Sequence, residues 1–337
     1  MFHFFSSTKM KVVGLLLLLV LLVGSFVASI IFGRTPITFD MALAALLNYD
    51  ANSIEHMIIY TERLPRAVIA TFVGASLAVA GALMQALTRN PLASPSIFGI
   101  NAGAIFFVVL ASLFLSISSL VFLMWFAFLG AFLSAIIVYF LGSLGRDGLT
   151  PLKIILAGTA VTAMFTSFTQ AILVFNETGM QDVLFWLAGS VSGRTLAMLL
   201  PVLPFMVLSI VVSMFMGRAI NLLLLGDDVA TGMGQNIVLV KLAMGIAIVL
   251  LAGGSVAVVG SVGFIGLIIP HVSRGLVGND YRWMLPFSAV LGAILLLGAD
   301  VLARLVIMPQ EVPIGVMTAF LGVPFFVYIA RKGLTKK

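Results

Sequence analysis

Three arginines stand near acidic residues at the ends of apolar segments, and their side chains could bind carboxylates. Arg63 and Arg66 flank Pro65, which fixes the local backbone. Asp300 precedes Arg304 by four residues, so these two side chains can pair along one helix face. The guanidinium group is a rigid fork of donors that fits a carboxylate. The arginines could anchor helix ends, form local ion pairs or bind an acidic partner, and the spacing leaves these alternatives open.

A second polar constellation occupies residues 221–236, which read NLLLLGDDVATGMGQN. Gly226 interrupts the helical pattern, and Asp227 and Asp228 suit the first turn of the helix that follows. Two further glycines close that helix. The pattern predicts a short helix–turn–helix, which is either a plain connection or a docking element for a partner protein.

A third constellation is a line of hydroxyl and amide side chains in an otherwise apolar segment: Thr159, Thr162, Thr166, Thr169 and Gln170. The spacing keeps them on one face of a helix. In a membrane such a face either forms hydrogen bonds between helices or lines a wet pathway.

Motifs for catalysis or metal binding are absent. The chain has no phosphate-binding loop, no zinc-protease motif and no cysteine, and His3, His56 and His271 lie far apart in the sequence. Ionisable residues within the apolar segments are scarce, and Asp300 is the clearest of them. A relay of ionisable groups that would couple transport to an ion gradient is therefore not evident. We therefore expect no catalytic residues and no metal site. If the protein moves a solute, another subunit supplies the energy.

The composition identifies the class of protein that must position these residues. Apolar residues make up 62% of the 337 residues and charged residues only 9%, against about 25% charged in a soluble domain. This excludes a soluble enzyme, and unbroken apolar runs such as Val12–Phe32 exclude a β-barrel. We predict an all-α polytopic membrane protein with one transmembrane domain over residues 1–337. Its ten predicted spans are Val12–Phe32, Ala67–Leu87, Ala93–Leu115, Leu120–Leu141, Ile154–Phe175, Leu196–Met216, Ile237–Val259, Gly263–Val277, Met284–Leu302 and Ile314–Ala330.

Two regions around these spans have further expected features. The eighth span is short and contains Pro270, so we expect it to be broken or tilted. A short surface helix is predicted at Phe39–Leu47, with Thr38 as its N-cap.

The distribution of basic residues predicts the orientation. With both termini in the cytoplasm, 13 of the 18 Lys and Arg residues lie inside, as the positive-inside rule requires. The residues left outside include Arg63, Arg66 and Arg304, whereas 221–236 lies inside. The same rule accounts for the basic charge without a nucleic-acid partner.

With these motifs in this order, the chain resembles the FecCD-type permeases of type II ABC importers, which take up ferric siderophores, haem and cobalamin. The matching motifs are RLPR at 63–66, GASLAVAGALMQALTRNPLASPSIFGI at 74–100, LAG at 156–158, WLAGS at 186–190, LGDDVATGMG at 225–234, VGFIGLIIPHVSR at 262–274, GADVLAR at 298–304 and EVPIGVMTAFLGVPFF at 311–326. Residues 1–62 carry little of the resemblance.

The resemblance implies a fold of ten helices and a set of partners. Two permease subunits, identical or related, would enclose a central pathway. Two cytoplasmic ATPase subunits would use ATP, and an extracytoplasmic binding protein would deliver the cargo. The permease itself would bind no cofactor and would lie in the cell membrane.

The resemblance also implies roles for particular residues. Arg63, Arg66 and Arg304 would dock the binding protein. The segment 221–236, called here the coupling segment, would contact the ATPase through Leu225, Gly226, Asp227, Asp228, Ala230 and Gly234. The pathway would be lined by Thr159, Thr162 and Thr166. The family's inner gate lies in the turn before the fifth span, where only Thr150 fits the small polar pattern.

The cargo implied most directly is a ferric siderophore, with haem or cobalamin as alternatives. A secondary transporter that works without an ATPase is the alternative from another class.

Overall fold

A computed structural model describes residues 4–115, 117, 119–144, 150–175 and 186–334. Within these ranges all regular secondary structure is helical, and the predicted all-α class is confirmed. The α-helices are α1 (Thr8–Ile31), α2 (Phe39–Leu47), α3 (Ile54–Ile58), α4 (Leu64–Thr88), α5 (Ile100–Phe114), α6 (Leu120–Ser143), α7 (Pro151–Phe175), α8 (Leu196–Leu199), α9 (Leu203–Phe215), α10 (Gly217–Leu223), α11 (Asp227–Gly232), α12 (Ile237–Val259), α13 (Ile265–Val277), α14 (Tyr281–Leu305) and α15 (Ile314–Leu334).

In the described part of the chain, each of the ten predicted spans contains at least one apolar helix. Six apolar helices are long enough to cross a membrane alone: Thr8–Ile31, Ile54–Thr88, Leu120–Ser143, Pro151–Val174, Ile237–Val259 and Tyr281–Leu305. A π-helical turn joins α3 to α4 within the second of them. Helices α9 and α10 form a pair bent by 60°. The remaining three, α5, α13 and α15, are shorter.

Helix α4 forms the centre of the bundle and is buried along most of its length. Its glycines make this packing possible, because a Cβ on Gly74 would lie 2.3 Å from the carbonyl oxygen of Gly292 on α14. Gly81 is equally close to the backbone of Gly266 on α13. Small residues let helix backbones approach each other in this way inside a membrane. The position of α4 therefore depends directly on α13 and α14.

Two predicted spans are interrupted in the structure. The third begins with a short 3₁₀ turn, Pro95–Phe98, before α5 starts at Ile100. The sixth consists of α8 and α9 with a turn between them. The predicted spans Ala93–Leu115 and Leu196–Met216 therefore each contain a helix that is preceded by a shorter helical turn. The first interruption contains Ser94, Pro95, Ser96 and Gly99 and the second contains Pro201, so local residues that disfavour a helix accompany both.

The eighth span is unbroken at Pro270, which lies inside α13. The irregular backbone lies before this helix, where Gly260 and Phe264 both have positive φ angles. The irregularity that was expected of this span therefore lies at its start, at Phe264, rather than at Pro270. Helix α2 has the predicted bounds, and Thr38 Oγ1 accepts from the Met41 amide at 3.3 Å.

Candidate functional sites at the two ends of the bundle

Five charged side chains meet where the start of α4 faces the end of α14, and we call them the outer arginine cluster: Arg63, Arg66, Asp300, Arg304 and Glu311. Asp300 joins two of the arginines, with Arg66 Nη2 at 2.9 Å and Arg304 Nη2 at 2.8 Å. Arg66 Nη1 also lies 2.9 Å from Glu311 Oε2. The predicted pairing of Asp300 with Arg304 along one helix is therefore present.

Two of these arginines also bind the C-terminal end of α1. Arg63 Nη1 donates to the carbonyl oxygens of Ile30 and Ile31, at 2.6 Å each. Arg304 Nη1 donates to the carbonyl oxygen of Ser29 at 3.0 Å. The last carbonyls of a helix have no partner inside it and carry the negative end of its dipole. The two guanidinium groups give these carbonyls hydrogen-bond donors and place positive charge at the negative end of the dipole. They therefore fix the end of α1 against α4 and α14.

The structure brings the three sequence-predicted arginines together but exposes them unequally. Arg63 is 4% exposed and Arg304 is 3% exposed. The Arg66 side chain is 12% exposed, and the neighbouring Arg34 side chain is 53% exposed. Contact with an external partner is thus open mainly to Arg66 and Arg34, and the docking role of all three arginines stays a prediction. Sequence reasoning missed Glu311, the only acidic residue between α14 and α15.

A second charge cluster lies at the opposite end of α4, and we call it the inner charge cluster: Arg89, Asp227 and Lys241. Asp227 begins α11, within the coupling segment. Its carboxylate accepts from Arg89 Nη2 through one oxygen and from Lys241 Nζ, at 2.7 Å, through the other. Arg89 follows α4 and Lys241 lies on α12. One carboxylate therefore connects the coupling segment to two spans.

The electrostatic environment keeps Asp227 ionised. Partial burial of its carboxyl group opposes ionisation, but the hydrogen bond and charge of Lys241 and the charge of Arg89 outweigh this effect. The pKa of Asp227 consequently lies below its usual value. The cluster is charged at neutral pH and carries one excess positive charge.

The shape of the coupling segment agrees with the helix–turn–helix prediction. Gly226 has a φ of 122° and separates α10 from α11, and Gly234 has a φ of 82° after α11. Residues other than glycine rarely adopt such positive φ angles. Within the segment, the Ala230 side chain is buried, whereas the Asp228 side chain is exposed.

An apolar stripe covers the outer surface of the coupling segment. Leu225, Val229 and Met233 recur every four residues and are 65%, 48% and 66% exposed. Val229 lies within α11, whereas Leu225 precedes Gly226 and Met233 follows the helix. All three side chains are exposed on the coupling segment and are available to a partner.

A third link joins the coupling segment to α14. Asn221 Nδ2 donates to Asp280 Oδ1 at 2.7 Å, and the Tyr281 amide donates to Asn221 Oδ1 at 2.9 Å. Burial of Asp280 opposes its ionisation, but hydrogen bonds from Arg282 and Asn221 dominate and lower the pKa of Asp280 to about 2. The start of the coupling segment is therefore fixed to the first turn of α14.

Thr150 and the coupling segment border the same cavity. The cavity has a volume of about 640 Å³, and its lining includes Thr150, Arg89, Asp227 and Lys241. Thr150 begins α7, where its Oγ1 accepts from the Lys153 amide at 3.4 Å. A role of Thr150 as a gate stays a prediction.

The predicted threonine face on α7 is only partly continuous. Thr159 and Thr166 are exposed and Thr162 is half-buried, whereas Thr169 is 6% exposed and donates to the Phe165 carbonyl oxygen. Thr169 therefore turns into the bundle, which is one of the two alternatives that the sequence left open, whereas its exposed neighbours fit the other. The first three remain candidates for the pathway.

Among the described residues, six long apolar helices, one bent pair and three shorter apolar helices, with a helix–turn–helix at one end of the bundle, are the architecture of a multi-pass membrane protein. A model of the FecCD transport family matches residues 18–332, and the chain belongs to this family. Proteins of this kind are permease subunits of ABC transporters, so the chain is a transport subunit rather than an enzyme, with ATPase and permease subunits as partners.

Several transport proteins are similar over almost the whole chain. The "Probable siderophore transport system permease protein YfiZ" of Bacillus subtilis (strain 168) is 55% identical, covering 97% of this chain and 98% of the relative. The "Fe(3+)-citrate import system permease protein YfmD" of the same organism is 48% identical, covering 90% of each. A solved structure, an inward-facing conformation of a metal-chelate type ABC transporter, is 31% identical with a TM-score of 0.83, covering 94% of this chain and 98% of that chain.

Proposed function

We propose that the protein is the permease subunit of an ATP-driven importer for a ferric siderophore, delivered by an extracytoplasmic binding protein. The observation that carries this proposal is the similarity, over 90% or more of the chain, to permeases whose names specify siderophore or ferric citrate transport. Cobalamin and haem are the alternative cargoes. The permease would bind no cofactor itself, since the ATP would be used by the partner subunits.

The coupling segment is the proposed contact for the ATPase. Its stripe of Leu225, Val229 and Met233 is exposed, and apolar side chains of this kind form the desolvated centre of protein interfaces. Gly226 and Gly234 set the path of the chain around α11, and Ala230 packs beneath it. Asp228 is exposed and could meet a basic residue of the partner.

The opposite end of the bundle is the proposed docking surface for the binding protein. Arg66 and Arg34 are the arginines that reach this surface, and each lies beside Glu311. Acidic groups of a partner could compete with Glu311 for Arg66. Arg63 and Arg304 would act in docking mainly by fixing the position of Arg66.

The cargo pathway is proposed to run between two permease subunits along α7. Thr159 and Thr166 are exposed on this helix in the isolated chain, and Thr162 is half-buried beside them. Hydroxyl groups at this spacing could contact a hydrated, polar chelate. Thr150, at the inner start of α7, would then lie near the pathway exit.

Reconstitution into liposomes tests the proposal. The permease, copurified with its ATPase subunits and supplied with a binding protein, is presented with ferric hydroxamate, ferric catecholate, ferric citrate, haem and cobalamin. We expect ATP-dependent uptake of a ferric chelate. Uptake of haem or cobalamin alone would correct the cargo. Uptake driven by an ion gradient without ATPase subunits would overturn the importer mechanism.

A single substitution tests the ATPase contact within the same system. Val229→Asp places a charge in the centre of the exposed stripe, where desolvating it would oppose the interface. We expect copurification of the ATPase to fall about tenfold or more, as for a central interface residue. Val238→Asp changes an apolar residue outside the stripe that is still more exposed, and serves as the control.

A further inference from the structure

Arg89 has an unusual backbone conformation for its residue type. It follows α4 with φ 49° and ψ 29°, in the left-handed region. The Arg89 amide donates to the Ala86 carbonyl oxygen and the Asn90 amide to that of Gln85, which is the hydrogen-bond pattern of a Schellman motif. Glycine most often occupies this position because a Cβ is unfavourable there. A strained arginine suggests that its side chain has a task.

The Arg89 side chain connects α4 to both parts of the coupling region. Its Nη2 donates to the carbonyl oxygen of Leu223, at the end of α10, at 3.0 Å and also to Asp227, at the start of α11. One guanidinium group therefore holds the two helices on either side of Gly226. Lys241 fixes the other oxygen of the same carboxylate from α12.

Stability alone does not explain this arrangement. The Arg89 and Asp227 side chains are 41% and 43% exposed, and ion pairs this exposed contribute little because solvent screens them. A glycine would relieve the backbone strain at residue 89. The inner charge cluster thus adds little net stability while it imposes a specific geometry.

The inner half of α4 is well suited to carry a displacement into the bundle. Gly81 contacts the backbone of Gly266 on α13. Gln85 donates to the Leu267 carbonyl oxygen at 3.3 Å and accepts from Arg274 at 3.2 Å. A displacement of the end of α4 would therefore move α13 as well, through close backbone contact and partly buried hydrogen bonds.

We propose that Arg89 is a positioning residue that holds the coupling segment rigidly against α4, so that movement of the segment is transmitted to α4 and α13. This inference rests on the proposed function, since the movement is that caused by the ATPase subunits. Asp227 is the acceptor of the link, and Lys241 steadies the acceptor.

The first test compares uptake with ATP hydrolysis in the reconstituted complex. Arg89→Gly removes the link and suits the left-handed backbone, so the variant should fold and bind the ATPase normally. We expect the amount of ferric chelate transported per ATP to fall about tenfold, within the range of coupling effects of single residues. The amount transported per ATP should fall less in Arg89→Lys, because the lysine ammonium group can still reach one acceptor. It lacks the forked donors of a guanidinium group that would reach both. Arg218→Ala, which removes an exposed arginine of α10 outside the cluster, is the matched control.

Two outcomes of this test would overturn the inference. In one, Arg89→Gly transports as much chelate per ATP as the wild-type protein. In the other, it loses the ATPase altogether, which would make Arg89 a docking residue. A wild-type complex that transports no ferric chelate would instead contradict the proposed function.

A distance measurement decides the inference without cargo or nucleotide. The chain has no cysteine, so Leu92→Cys and Thr231→Cys allow spin labels to be attached beyond α4 and on the coupling segment. We expect one narrow distance distribution in lipid nanodiscs and a broad one when Arg89→Gly is added. Equal widths in the two proteins would show that Arg89 does not hold the segment.

Discussion

The two ends of α4 carry charge clusters that differ in burial and in what they bind. In the outer arginine cluster, Asp300 is buried between Arg66 and Arg304, and two arginines also bind backbone carbonyls of α1. In the inner charge cluster, Asp227 is partly exposed and forms ion pairs with the side chains of Arg89 and Lys241. The outer cluster is therefore part of the folded core, whereas the inner cluster is a surface link whose loss costs little stability.

The comparison also separates two uses of arginine. Arg63 and Arg304 donate to carbonyls that would otherwise be unsatisfied, so removing either side chain leaves buried acceptors without partners. Arg89 donates to one carbonyl and one carboxylate beside solvent. Substitutions at the two ends should thus affect different observables: stability at the outer end and coupling at the inner end.

The largest expected effect on stability is at Asp300. Asp300→Ala leaves Arg66 and Arg304 in a buried site without their shared carboxylate, a change that typically costs about 3–5 kcal/mol. We expect a strong decrease in the thermal midpoint, measured by loss of the monodisperse peak in detergent. Glu311 still faces Arg66, so the effect on Arg304 should dominate.

The control for this change is Asp228→Ala, which removes an exposed carboxylate from the coupling segment. Its thermal midpoint should equal that of the wild-type protein. If Asp300→Ala were equally harmless, the outer cluster would not belong to the folded core.

A smaller loss of stability is expected at Arg63. Arg63→Met keeps an apolar side chain of similar length but leaves the carbonyl oxygens of Ile30 and Ile31 without their donor, which costs about 1–3 kcal/mol. Amide exchange at the end of α1 should accelerate, since this end would no longer be fixed to α4.

Arg34→Met is the matched comparison, because Arg34 is exposed and lies 4.0 Å from Glu311. We expect its stability to be unchanged but docking of the binding protein to weaken. Equal thermal shifts in the two variants would contradict the distinction between an arginine that fixes the end of α1 and one that docks the binding protein.

The helical spans were visible in the sequence, whereas the partners of Arg63 were not, for different physical reasons. The bounds Ile237–Val259 agree with the structure because a span must match the bilayer thickness. Gly226 and the two aspartates likewise predicted the start of α11, since these preferences are local. The partners of Arg63 lie about 30 residues away on α1 and depend on tertiary packing that no local pattern encodes.

The inner charge cluster was only half visible in the sequence. Asp227 stood out as one of two adjacent acids after a glycine, whereas Arg89 lies in the loop after α4 and Lys241 within an apolar span. Nothing in their spacing, which covers 138 residues from Arg89 to Asp227, indicates that they meet. The positive φ of Arg89, which marks it as special, is a property of the folded backbone.

The smallest expected effect on stability is at Asp227. Asp227→Asn removes the negative charge but keeps the shape, and for an exposed pair the cost is about 0.2–1 kcal/mol after solvent screening. The pKa of Asp227 is lowered in the folded protein, so its contribution is complete above the unfolded value of about 4 and disappears as the pH falls through the lower folded value.

The wild-type coupling segment should therefore behave identically at neutral and mildly acidic pH. The mobility of a spin label at Thr231→Cys measures this directly, and it should stay constant between pH 5 and 8, about one unit or more above the titration range. In Asp227→Asn the label should be more mobile over the same range, while the thermal midpoint hardly changes. A large drop in the midpoint would mean that the inner cluster, like the outer one, belongs to the folded core.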